Sequence, residues 1–87
     1  MHEASLMTDL MQKINALARR EGAERVMRVS VWLGALSHMS AEHFRQHFEH
    51  AAGGTPAEGA TVEVLVSSDL DDENAESILL RSIDVES

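Results

Sequence analysis

Met27-Arg28-Val29-Ser30-Val31-Trp32-Leu33 decides how this chain folds, because apolar and polar residues alternate through it with a period of two. Successive side chains of a strand point to opposite faces, so Met27, Val29, Val31 and Leu33 fall on one face and Arg28, Ser30 and Trp32 on the other. That pattern predicts a half-buried strand. On its N-terminal side, Leu6, Met7, Leu10, Ile14, Leu17 and Ala18 recur at helical spacing, which predicts an amphipathic helix from about Ala4 to Glu21. Gly22 is placed to cap that helix, and Arg19 and Arg20 suit the negative end of its dipole. On the C-terminal side, Gly34 to Met39 reads as a turn. Ser40 can then cap a second helix, with Glu42 in its first turn and Phe44, Phe48 and Ala51 on its buried stripe. Gly53-Gly54-Thr55-Pro56 ends it.

Two more strands follow. Val62, Val64 and Val66 alternate with Thr61, Glu63 and Leu65. From about Ile78 to Glu86 the pattern changes parity: Leu80 and Ile83 cannot both face inward on a regular strand, which predicts a bulge near Arg81 or Ser82. The order α-β-α-β-β implies an α+β fold, a two-layer sandwich with two helices on one face of a three-stranded mixed sheet. The strand–helix–strand crossover favours a parallel first pair, and the short acidic connector makes the last pair antiparallel. Trp32, Leu65 and Leu80 are expected on the sheet face that the helices leave open. Three apolar residues on one open face of a small sheet read as a partner-binding surface.

Composition narrows the function. Eighty-seven residues allow one domain. A chain this short buries only ~60% of its unfolded surface, so its core is marginal and a partner would help. With 7 basic and 15 acidic side chains, the net charge of −8 argues against nucleic acid and anionic membranes as partners. No stretch approaches the ~20 apolar residues of a membrane span, and no basic region followed by an apolar run marks a signal peptide. The absence of cysteine excludes disulfides and a thiolate zinc site, and fits a cytoplasmic protein. There is no tyrosine, no phosphate-binding glycine loop and no Ser-His-Asp arrangement, so the chain is not expected to be an enzyme.

Three groups of residues could carry metal chemistry. In Met1-His2-Glu3 the terminal amine, two backbone amides and the His2 imidazole supply four nitrogens that can lie in one plane, a geometry that suits Ni(II) or Cu(II). His43, His47 and His50 line one side of the second helix beside the Phe44–Phe48 stripe. A polar boundary of the core is the preferred reading there over a three-imidazole site. His38, in the preceding turn, could approach the N-terminus. Asp69, Asp71, Asp72, Glu73 and Glu76 lack the glycine and the spacing of a calcium loop, and read as a solvated acidic hairpin loop.

Taken in order, Met1-His2-Glu3-Ala4-Ser5-Leu6, Arg25-Val26-Met27-Arg28-Val29, Gly34-Ala35-Leu36-Ser37, Phe44, Phe48, Glu58-Gly59-Ala60 and Leu80-Arg81-Ser82-Ile83-Asp84-Val85-Glu86 resemble the nickel metallochaperones of hydrogenase and urease maturation, the HypA/HybF type. The resemblance covers about residues 1–66 and 78–86. It implies a nickel-binding-type domain over residues 1–87 in which Met1, His2 and Glu3 hold Ni(II) at the N-terminus. The ion would be delivered to a nickel-handling GTPase or a hydrogenase large-subunit precursor. Members of that family carry a zinc module with two Cys-x-x-Cys pairs where this chain has the acidic connector 67–77, so no zinc is expected. The rival expectation is a zinc-less, non-chaperone interaction subunit that docks through its open sheet face into a larger assembly. A weak homodimer or a firm heteromeric contact is expected of that face, not a tight dimer.

Overall fold

In the computed structural model, which describes residues 3–37 and 39–86, β1 (Arg25–Leu33) is the middle strand of a three-stranded sheet. β2 (Thr61–Val66) lies parallel to it on one side and β3 (Ile78–Glu86) antiparallel on the other. α1 (Glu3–Arg20) and α2 (Ala41–Ala52) pack together on one face, giving the two-layer α+β arrangement.

The local signals act as their chemistry dictates. At the end of α1, Gly22 adopts φ 65°, a left-handed conformation that costs glycine little. Its N–H donates to the Arg19 carbonyl at 3.0 Å and the Ala23 N–H to the Ala18 carbonyl at 2.9 Å, which satisfies two orphan acceptors of the last turn. Ser40 caps α2, its hydroxyl accepting from the His43 N–H at 3.1 Å. Met7, Leu10, Met11, Ile14 and Ala18 of α1 meet Phe44, Phe48 and Ala52 of α2 over Val29, Val31 and Leu33 of the sheet. Val62, Val64, Ile78, Leu80 and Ile83 pack around that centre from the flanking strands.

Two bulges reset the parity of the sheet. The register passes from Val26↔Val85 directly to Arg28↔Asp84, so Met27 is an extra residue in β1. As a result Val26 is buried and Met27 stands 42% exposed, correcting the expectation that Met27 faces the core. The second bulge is the one that the spacing of Leu80 and Ile83 predicts. Ser30 pairs with Ser82 and Val31 with Leu80, leaving Arg81 unpaired between them.

The acidic connector also departs from expectation. β2 and β3 are not neighbours, so residues 67–77 cross the end of β1 instead of closing a hairpin. The Ser67 N–H donates to the Leu33 carbonyl at 2.9 Å, the Gly34 N–H to the Ser77 carbonyl at 2.9 Å, and the Leu36 N–H to the Ala75 carbonyl at 2.7 Å. Ala75 is buried, while Asp69, Asp71, Glu73 and Glu76 remain exposed. The connector is thus a packed strap with an acidic outer surface.

Gly34 makes that strap possible, since a Cβ there would land on the Ala75 carbonyl and within 2.6 Å of the Asn74 oxygen, both rigid backbone. Gly34→Ala is expected to destabilise the fold by about 1–3 kcal/mol through overpacking, lowering the melting temperature by roughly 4–8 °C per kcal/mol. Thermal denaturation followed by circular dichroism checks this. An unchanged midpoint would mean that the strap does not hold the turn.

Candidate functional site

The face of the sheet turned away from the helices is ordered in rows by the strand register. Trp32 pairs with Leu65 on one side and with Leu79 on the other, so the three side chains form one row across β2, β1 and β3. Leu65 is 48% and Leu79 39% exposed, with Trp32 half-buried between them. The next row is Glu63, Ser30 and Ser82, and the one beyond it Thr61, Arg28 and Asp84. Arg28 Nη1 lies 3.1 Å from Glu63 Oε2, and its Nε lies 3.9 Å from Asp84 Oδ2. These ion pairs are exposed and contribute little to stability, but they place charge of both signs at that end. Arg81 Nη1 donates to Ser30 Oγ at 3.4 Å, and Ser30 is buried. The face therefore runs from an apolar row near the Gly34 turn to a charged row near the start of β1.

Of the three residues expected on this face, Trp32 and Leu65 are there. Leu80 is not: it pairs with Val31 and packs against the core. The reason is the Arg81 bulge, which puts Leu80 and Ile83 on the same side and turns Leu79 outward. The signal was present in the sequence, because a bulge that lets Leu80 and Ile83 both face inward leaves Leu79 as the outward residue.

The expectation of a nickel-binding protein with Ni(II) as its cofactor is corrected. Among the described residues no group of three or more His, Asp or Glu side chains could hold a metal ion, and the chain has no cysteine. Met1 and His2 lie outside the described residues, as does His38. Glu3 opens α1. Along α2 the rings of His43 and His47 stack with centroids 4.5 Å apart and planes 22° from parallel. An ion held ~2 Å from an imidazole nitrogen sits in the plane of that ring, and planes this close to parallel do not meet within that distance of both rings. His50 is exposed in the last turn of the same helix. The row is a polar border of the core, as its position beside Phe44 and Phe48 implies.

With the fold and this face in view, comparison with known proteins gives the family. Residues 1–69 match the model of the family described as hydrogenase/urease nickel incorporation, metallochaperone, hypA. The chain belongs to this family. Among curated relatives, it is 41% identical over 64 residues to the hydrogenase maturation factor HypA of Chlorobium limicola, which covers 74% of the chain and 55% of that protein. It is 38% identical over 64 residues to HypA of Methanopyrus kandleri, covering 74% and 45% respectively. The chain thus spans about half the length of the curated relatives it matches. The solution structure of the Ni metallochaperone HypA from Helicobacter pylori superposes with a TM-score of 0.80, covering 100% of this chain and 99% of that one. At 17% identity that likeness shows the fold alone. The family is described as a metallochaperone and the relatives are named maturation factors, descriptions of a non-catalytic role. Among the described residues no helix is long and apolar enough to cross a membrane.

The corrected face makes a pair of neighbouring substitutions diagnostic. Leu79→Glu is expected to leave stability within about 0.5 kcal/mol, as for an ordinary surface change, whereas Leu80→Glu is expected to cost about 1–3 kcal/mol by burying a carboxylate against the core. Urea titration of both variants measures the difference. Equal losses would contradict the outward placement of Leu79.

Proposed function

We propose that this chain is an interaction subunit of a maturation assembly, docking through its open sheet face without carrying nickel. The observation that supports it is the apolar row Leu65–Trp32–Leu79, lying on a face that neither helix covers. On this reading residues 1–87 form one docking domain, with the acidic strap at 67–77 standing where the family's zinc module would be. The names of the relatives point to hydrogenase maturation, so the partners to test are a cytoplasmic hydrogenase large-subunit precursor and a nickel-handling GTPase.

The energetics favour a heteromeric partner. Burying apolar area contributes roughly 25 cal/mol per Å², so a patch of a few hundred Å² yields on the order of several kcal/mol, which association costs can consume. A firm complex therefore needs further contacts from the partner around this row. Glu63 borders it and Arg28 and Asp84 follow in the row beyond, and the chain carries a net −8. A partner with an apolar socket and a basic rim fits both features.

Trp32 is the only tryptophan of the chain and the middle of the row. Buried tryptophans at the centre of an interface commonly cost 2 kcal/mol or more when lost, so Trp32→Glu is expected to weaken partner binding by at least about tenfold. Isothermal titration of wild type and variant against each purified partner reads this directly, with circular dichroism confirming that the variant is folded. Equal affinities of wild type and Trp32→Glu for whichever partner binds would remove the sheet face as the docking surface.

A further inference from the structure

β3 is an outer strand, and its side away from β1 carries backbone groups that no other strand meets. Which groups these are follows from the ladder. The Gly34 N–H donates to the carbonyl of Ser77, its neighbour in the register, while the Leu33 carbonyl accepts from Ser67 on the β2 side. Hydrogen-bonded and non-hydrogen-bonded pairs alternate along an antiparallel ladder. Leu79 therefore turns its N–H and C=O to Trp32, and Ile78 and Leu80 turn theirs outward. Among the described residues no turn, loop or side chain bonds those outward groups.

α1 runs beside this edge and leaves a groove. Two adjoining hollows of about 510 and 200 Å³ share Lys13, Leu79 and Leu80 in their walls. Leu80 packs against the core and Leu79 stands on the opposite face, so a hollow lined by both lies at the margin of the sheet, against the β3 backbone. Ala16 and Leu17 give the helix wall apolar surface. Lys13 and Arg20 stand in the same wall, and neither makes an ion pair with a described residue. Asp9 lines only the smaller hollow, towards Leu6.

These features define an occupant. An open strand edge takes an extended backbone, the apolar wall takes side chains at alternate positions, and the two cations take carboxylates. Lys13 and Arg20 are separated by about 10.5 Å along α1 at 1.5 Å per residue. On a strand, residues four apart share a face and lie about 13 Å apart, a difference that long side chains absorb. The bulge at Arg81 ends the regular edge, so pairing stops at Leu80.

We infer that the α1–β3 groove binds an extended acidic segment of a partner protein, which adds as a short fourth strand against Ile78 and Leu80 and sets two carboxylates on Lys13 and Arg20. This site goes beyond the docking role of the Leu65–Trp32–Leu79 row and meets that row at Leu79.

The probe is a fluorescein-labelled peptide of alternating leucine and threonine in which two glutamates, four positions apart, replace leucines. Anisotropy with the full chain is expected to give a dissociation constant of roughly 10 μM to 1 mM, the range of a small contact. The counterpart with lysines for the glutamates should bind at least about tenfold more weakly, and Lys13→Glu combined with Arg20→Glu should reverse that preference. In hydrogen exchange followed by NMR, saturating peptide should slow the Ile78 and Leu80 amides at least about tenfold more than the Leu79 amide, which β1 already holds. Trp32→Glu should bind the peptide as wild type does, so that this site and the sheet face fail separately. The inference is overturned by no binding up to roughly 1 mM, by equal affinity for the two peptides, by a preference that the double variant keeps, or by no added protection at Ile78 and Leu80. Loss of binding in Trp32→Glu would instead place the peptide on the sheet face, and would equally overturn it.

Discussion

β1 is hydrogen-bonded along both edges, and the rest of the molecule depends on that. A strand with neighbours on both sides has no free backbone groups to solvate, so it can sit at the bottom of the core, and Val29, Val31 and Leu33 are fully buried there. Its parallel partner arrives by way of α2, which leads from the Leu33 end back to the Arg28 end, and its antiparallel partner by way of the strap, which stays at the Leu33 end. The helices then cover one face only. What remains is an uncovered surface whose character is set by the residues of β1 that point away from them, Arg28, Ser30 and Trp32. The candidate docking row is therefore a by-product of how the core is built, and the same hydrogen bonds that bury Val31 present Trp32.

Much of this could be read from the sequence, for local reasons. Both helices follow from apolar spacing, the ends of α1 and α2 from Gly22 and Ser40, and the Arg81 bulge from the conflict between Leu80 and Ile83. These are signals that a few neighbouring residues settle among themselves. The errors arise where distant segments decide. Met27 alternates correctly with its neighbours in sequence, yet the pairing of Val26 with Val85 and of Arg28 with Asp84 makes it the surplus residue. The strap contains acidic residues that read as solvated, and most of them are. What the sequence does not announce is that Ala75 is the group that packs, because its partner is a glycine forty-one positions earlier, Gly34. The metal expectation came from residues at the N-terminus and from family resemblance, and the described remainder brings no ligand cluster to join them.

Family membership and an adaptor role are compatible in physical terms. A small α+β domain has a marginal core, and a partner that binds only the folded state stabilises it by mass action, by about 2.7 kcal/mol at a hundredfold excess over the dissociation constant. Docking would then supply part of the stability that the chain's own packing leaves out. On the proposed docking role the exposed row would have a thermodynamic effect besides recognition, since the face that selects a partner would also set how much of the folded population that partner retains.

The extra residue at Arg81 bears on a hazard that any three-stranded sheet faces. β3 is a nine-residue outer strand, long enough to recruit further strands edge to edge and so begin a fibre. Continuous stacking needs an even spacing of donors and acceptors along the outer side, and a bulge in mid-strand interrupts it while sharpening the local twist. Arg81, Asp84 and Glu86 add charge along the same strand, and on the opposite margin β2 is only six residues long. The irregularity that turns Leu79 outward therefore also works against edge-to-edge growth of the sheet, in a molecule whose open face exposes apolar side chains.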